Sequence, residues 1–114
     1  MTALVMTAAA SADNWLVIAG QVVGAGEVRV SPAGVAIGRF LLDHHSGQLE
    51  AGFPREARCR IPVIACGESL ADAARRLLPG MPVRVRGFVS RANSREGEYR
   101  LVLHAAHIDV LNTE

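Results

Sequence analysis

The stretch Val83-Arg84-Val85-Arg86-Gly87-Phe88-Val89 constrains the fold of this chain more than any other. Its period-two alternation is that of a half-buried β-strand, with Val83, Val85 and Val89 turned inward and Arg84, Arg86 and Phe88 turned outward. A strand with one apolar face needs other strands or helices to cover it, so the rest of the chain must supply them.

Four further strands can be read. Trp15 to Val23 is apolar with a bend at Gly20; Gly24-Ala25-Gly26 interrupts it, and Glu27 to Val30 resumes with period two. After a turn at Ser31-Pro32-Ala33-Gly34, Val35 to His45 forms a second strand, with Phe40 and Leu42 on one face and Arg39, Leu41 and Asp43 on the other. Ser46 to Pro54 reads as a polar loop. Arg58 to Ile64 is a third strand that points Arg58 and Arg60 to one side and Cys59, Ile61 and Val63 to the other. Pro62 lacks a donor, which places it at an edge or a bulge. Glu68 to Leu78 has the only helical spacing (Leu70, Ala73, Ala74, Leu77), and Pro79-Gly80 stops it. After the Val83 strand and a polar loop over Ser90 to Glu98, Tyr99 to His104 makes a fifth strand, continued after a bend to Leu111. Three strands, a short helix and two strands is the element order of an all-β oligonucleotide-binding (OB) fold, a five-stranded Greek-key barrel. An up-and-down or SH3-like barrel is the competitor; the helix between the third and fourth strands favours the OB fold.

With 114 residues the chain suits one domain. Residues 1–13 are expected to be a flexible extension, with Met6 as an alternative start, and 14–114 the OB domain. The apolar run near the N-terminus is too short and lacks the basic flank of a signal peptide, and no stretch is long enough to cross a membrane. Cys59 and Cys66 match no zinc spacing and are expected to be small buried hydrophobes in a reducing cytoplasm.

Catalytic readings fail on geometry. His44 and His45 are adjacent on a strand and face opposite ways; His104 and His107 lack the spacing of a helical metal motif. No serine sits in a nucleophile motif, and Gly24-Ala25-Gly26 precedes no helix that could cradle phosphate. The expectation is a protein that is not an enzyme and holds no metal or cofactor. Binding readings do better. Net charge is only +1, so affinity for a polyanion must come from local clustering, and every basic residue is an arginine. Arg84, Arg86, Phe88, Arg91, Arg95, Tyr99 and Arg100 put five arginines and two aromatics within 17 residues. Cations that track a backbone beside rings that stack on bases are what a single-stranded nucleic-acid site requires. Phe53, Arg55, Arg58 and Arg60 form a second patch.

Val30-Ser31-Pro32-Ala33-Gly34, Glu50-Ala51-Gly52-Phe53, Cys59 to Ile64, Gly87-Phe88-Val89-Ser90 and Leu101 to Ala105 occur in order between Asn14 and Leu111. Together they resemble the primosomal replication protein N (PriB) family. The resemblance implies a homodimer of OB domains, cytoplasmic and nucleoid-associated. It implies binding of single-stranded DNA, stimulation of the primosomal helicase and work beside other primosome proteins. It carries DNA contacts onto Arg29, Phe53, Arg95 and Arg100, with His45 standing where a more basic residue is expected. Two positions depart from the family pattern: Arg58 replaces a stacking tryptophan, and Asn93 replaces a basic residue, with Arg91 close by. The candidate DNA-binding set is therefore Arg29, His45, Phe53, Arg58, Arg60, Arg84, Arg86, Phe88, Arg91, Arg95 and Arg100. Trp15 lies outside the family pattern and is expected to be buried in the barrel or at the dimer seam, or else to stack on DNA. A general single-stranded DNA-binding protein, which would carry an acidic tail absent after Ile108, ranks second; an OB module that binds a protein partner ranks third.

Overall fold

Period-two burial organises the molecule as the alternation requires: Val83 and Val85 are fully buried, and Arg84 and Phe88 face solvent. A computed structural model describes residues 12–92 and 100–111. The elements are β1 (Leu16–Val30), β2 (Ala36–Glu50), β3 (Phe53–Cys66), α1 (Glu68–Arg75), β4 (Pro82–Arg91) and β5 (Leu101–Val110). The strands close into a barrel in the order β1-β2-β3-β5-β4. Neighbours are antiparallel except β3 and β5, which run parallel. Because β3 is followed in sequence by β4 but in space by β5, the connection is a Greek key, and the fold is the OB barrel. Leu42, Val63, Val83, Val85 and Leu103 fill its centre.

The helix lies where the sequence puts it, and ends at Arg75. It seats Ala71 and Ala74, rather than Ala73, against the barrel, with Leu77 buried just beyond. The fit depends on absent side chains: a Cβ on Gly38 would meet the Cβ of Ala74 at 2.7 Å and the Cα of Ala71 at 3.2 Å. Small residues on both sides let the helix backbone lie directly on β2.

Four expectations are corrected. Gly24-Ala25-Gly26 does not interrupt β1; the strand runs through it with a shift of register against β2 between Val23 and Glu27, which is a bulge. The segment Ser46 to Pro54 is not a loop. β2 and β3 stay paired from Ile37↔Cys66 to Glu50↔Phe53 and turn at Ala51-Gly52, both with positive φ (52° and 82°), as a two-residue hairpin turn requires. Cys59 and Cys66 are exposed, because one lies beyond the reach of the core and the other ends its strand. Trp15 stands just before β1 and is 59% exposed, not buried in the barrel. Pro62, by contrast, meets its expectation: β3 pairs with β5 only at Val63 and Ile64, so up to Pro62 the second side of β3 has no strand partner among the described residues.

Candidate nucleic-acid interface

The outer half of the β2–β3 hairpin projects as an arm. β1 pairs with β2 no further than Asp43, so beyond it the two strands have only each other among the described residues. Uninterrupted register means strict alternation along the arm. Arg58 and Arg60 face one side; Phe53 and Arg55 face the other. Phe53 sits beside the turn and is 70% exposed, available to a planar ligand. The arm's charges are matched locally. Arg55 meets Glu50 at 2.8 Å, Glu56 is shared by His45 at 3.3 Å and Arg58 at 3.9 Å, and at the root Arg60 donates to Asp43 at 3.1 Å. His44 points inward as its neighbour points out. Its Nδ1–H donates to the Ala19 carbonyl (2.6 Å), which leaves Nε2 to accept from the Ser46 hydroxyl (2.7 Å). It is a structural link between β1 and the base of the arm.

The barrel wall beneath differs. A cleft of about 460 Å3 runs beside the β1 bulge, with Glu27, Arg29, Arg39, Leu41 and Pro62 along it. Arg39 also borders a second cleft of about 480 Å3, whose far side is Ser90, Arg91 and His104. A third, of about 510 Å3, opens where β3 and β5 diverge, between Leu41, Cys59, Arg60, Ile61, Arg100 and Leu101. Arg29, Arg39, Arg84 and Arg91 have no carboxylate partner among the described residues, whereas Arg55, Arg58, Arg60, Arg75, Arg76 and Arg86 each have one.

β4 divides the candidates that its alternation groups together. In the ring of strands β4 stands two places from both β2 and β3, so its outer face looks away from the β2–β3 seam. Arg84 and Arg86 lie there, the latter donating to Asp109 at 3.2 Å. In the β1–β4 register Leu16 faces Gly87, which brings Trp15 alongside Phe88. Asn14 holds that end of the chain in place: its amide donates to the Val89 carbonyl (2.8 Å) and its carbonyl accepts the Val89 N–H (2.9 Å). Phe88 stacks on His104 with centroids 4.7 Å apart and planes inclined by 9°, and His104 accepts or donates a bond with the Ser90 hydroxyl at 2.9 Å. Phe88 therefore backs one wall of the second cleft while Arg84 and Arg86 lie farther along the strand.

The structure thus brings Arg29, Arg91 and Arg100 to adjoining clefts with Arg60 at their margin, hangs His45, Phe53 and Arg58 on the arm, and separates Arg84 and Arg86 from both. Arg95, Asn93 and Tyr99 lie outside the described residues. Arg39 is absent from the sequence-derived set, although its outward parity with Leu41 was readable; its place between two clefts was not, because it depends on β5 closing the barrel.

Comparison with known proteins agrees with this geometry. The family model described as "another single-strand binding protein family" matches residues 14–107. The replication restart protein PriB of Proteus mirabilis is 40% identical over 100 residues, covering 88% of this chain and 95% of that protein. The solved PriB of Ralstonia solanacearum superposes with a TM-score of 0.74 at 26% identity, over 89% of this chain and all of that one. A deletion mutant of the Thermus aquaticus single-stranded DNA-binding protein shares the fold, with a TM-score of 0.72 at 23% identity over 88% of this chain and 51% of that one. From its sequence over nearly the whole barrel, the chain belongs to the single-strand binding protein family, among its PriB replication restart members.

Proposed function

We propose that this chain binds single-stranded DNA in replication restart, with charge supplied by the clefts on the barrel wall and stacking supplied by the arm. The observation that carries the reading is the gathering of Arg29, Arg39 and Arg91, none neutralised by a described carboxylate, on two clefts that share a wall. A polyanion releases counterions most favourably where cations are not already paired. Phe53 adds a ring, and Arg58, where the family resemblance implies a tryptophan, adds a smaller flat surface. The relatives are named for replication restart; the reading extends that setting to stimulation of the primosomal helicase beside other primosome proteins, in the cytoplasm at the nucleoid. No helix among the described residues is long and apolar enough to cross a membrane.

The same reading makes the protein a homodimer. Over Leu16 to Ala19, β1 pairs among the described residues with β4 alone, and Trp15, Val17 and Phe88 are exposed on that side of the barrel. A second copy would cover them. No catalytic role is proposed.

Fluorescence anisotropy with oligo-dT and with duplex DNA, over a series of salt concentrations, tests the reading. A site contacting four phosphates gives a log–log salt slope of about −3 on single strands, and single strands should bind more tightly than duplex. Binding that is flat in salt, or stronger to duplex, would overturn it and favour a protein-interaction module.

A further inference from the structure

We propose that the cleft bounded by Arg39, Ser90, Arg91 and His104 is a phosphodiester-binding stretch, which continues the DNA path from the Arg29 cleft to the mouth of β4 and β5. The proposal rests on the single-stranded DNA reading and adds to it a place and a residue, Arg39, whose outward parity the alternation shows but which the family resemblance does not supply.

Two arginines enter the cleft from opposite sides, one from β2 and one from the end of β4, and no acidic residue among the described residues lines it. Its remaining surface includes Ile64 and Val102, the latter 2% exposed. Guanidinium groups beside an apolar floor are less screened than those in open water, so an anion placed between them is held more strongly. Arginine offers a planar fork that fits a phosphate with two parallel bonds. The edge of the cleft is fixed in advance: His104 lies flat on Phe88 and is tied to Ser90, so little ordering cost remains when a ligand enters. Glu27 faces Arg39 across the β1–β2 register but forms no ion pair with it, and among the described residues no other carboxylate pairs with Arg39, whose side chain borders both clefts. A continuous nucleic-acid strand suits this arrangement, because the Arg29 and Arg91 sides are joined through one shared side chain.

The test uses the full chain, labelled oligo-dT, anisotropy over several salt concentrations, and the variants Arg39→Ala, Arg91→Ala and Arg75→Ala. Arg75 pairs with Asp72 on α1 and lines neither cleft. All three side chains are exposed, so folding should persist, as circular dichroism would verify. Each cleft variant should bind about tenfold more weakly near 0.1 M salt, the loss of one charge-assisted contact. Each should also lower the magnitude of the salt slope by about 0.7. Arg75→Ala should stay within about twofold of the parent, as expected for an exposed pair. If the parent binds with a steep salt slope and both cleft variants match it, the cleft is off the path while the DNA reading stands. An equal loss in Arg75→Ala would show that overall charge, not this cleft, is responsible. A parent that does not bind single strands would end the underlying reading and the proposal together.

Discussion

The arm and the barrel wall share β2 and β3, yet they treat charge and burial in opposite ways. On the arm, every arginine faces a carboxylate: Arg55 meets Glu50 and Arg58 meets Glu56. On the wall, Arg29 and Arg39 meet none among the described residues. The arm has solvent on both faces; the wall lies on a core in which Leu42 and Val63 are fully buried. A polyanion gains less from an arginine beside a carboxylate, because the neighbouring negative charge offsets the attraction. Unpaired arginines on a firm support give more. The division of labour follows: the wall attracts the backbone, and the arm presents surfaces such as Phe53 for bases.

The largest expected effect separates the two regions by stability. Leu42 and Leu49 lie on the same strand, one fully buried and the other 76% exposed. Leu42→Ala should cost about 3–5 kcal/mol in urea unfolding, the range for an excavated core leucine. Leu49→Ala should stay within about 0.5 kcal/mol. A similar cost at both would mean that the arm packs against something, such as a second copy of the chain, and is not a free projection.

How much of this was legible before the structure differs between the regions for the same reason. Barrel strands alternate because one face is buried, so Val83, Val85, Phe40 and Leu42 announced their orientation. From Ser46 to Ala57 neither face is buried, no period survives, and a continuous hairpin looked like a loop. Cys59 shared the inward parity of Ile61, but parity does not reveal where along a strand the core ends. The arginines could be counted, and the aromatics beside them seen. Which arginines are neutralised is set by partners 17 and 23 residues away in sequence, as for Arg60 with Asp43 and Arg86 with Asp109. The grouping of Arg84 and Arg86 with the β2–β3 patch overlooked that β4 looks outward two strands away from it.

A smaller effect tests the stacking assigned to the arm. Arg58 stands where the family resemblance implies a tryptophan, and its contact with Glu56, at 3.9 Å, is long. Arg58→Trp gives up little and adds a ring. A base stacked on an aromatic is worth about 1–3 kcal/mol, so oligo-dT should bind at least about fivefold more tightly by anisotropy, with an unchanged or slightly shallower salt slope. A loss of affinity would show that Arg58 contacts DNA directly, and that the arm supplies charge after all.

The smallest effect reverses the charge difference itself. Glu56 is the carboxylate common to His45 and Arg58. Glu56→Gln leaves the arm's shape and removes its compensation, so Arg58 becomes as unpaired as Arg39. If pairing is what keeps the arm electrostatically quiet, affinity for oligo-dT should rise about two- to threefold at low salt. The slope should steepen by up to about 0.7, as one added phosphate contact requires, and the gain should fade as salt screens the exposed charge. Unfolding should be unchanged, because exposed pairs contribute little to stability. Tighter binding without a steeper slope would mean that the glutamate repels DNA at a distance and masks no contact. No change in either would place the arm off the path of the strand and leave the barrel wall to hold it.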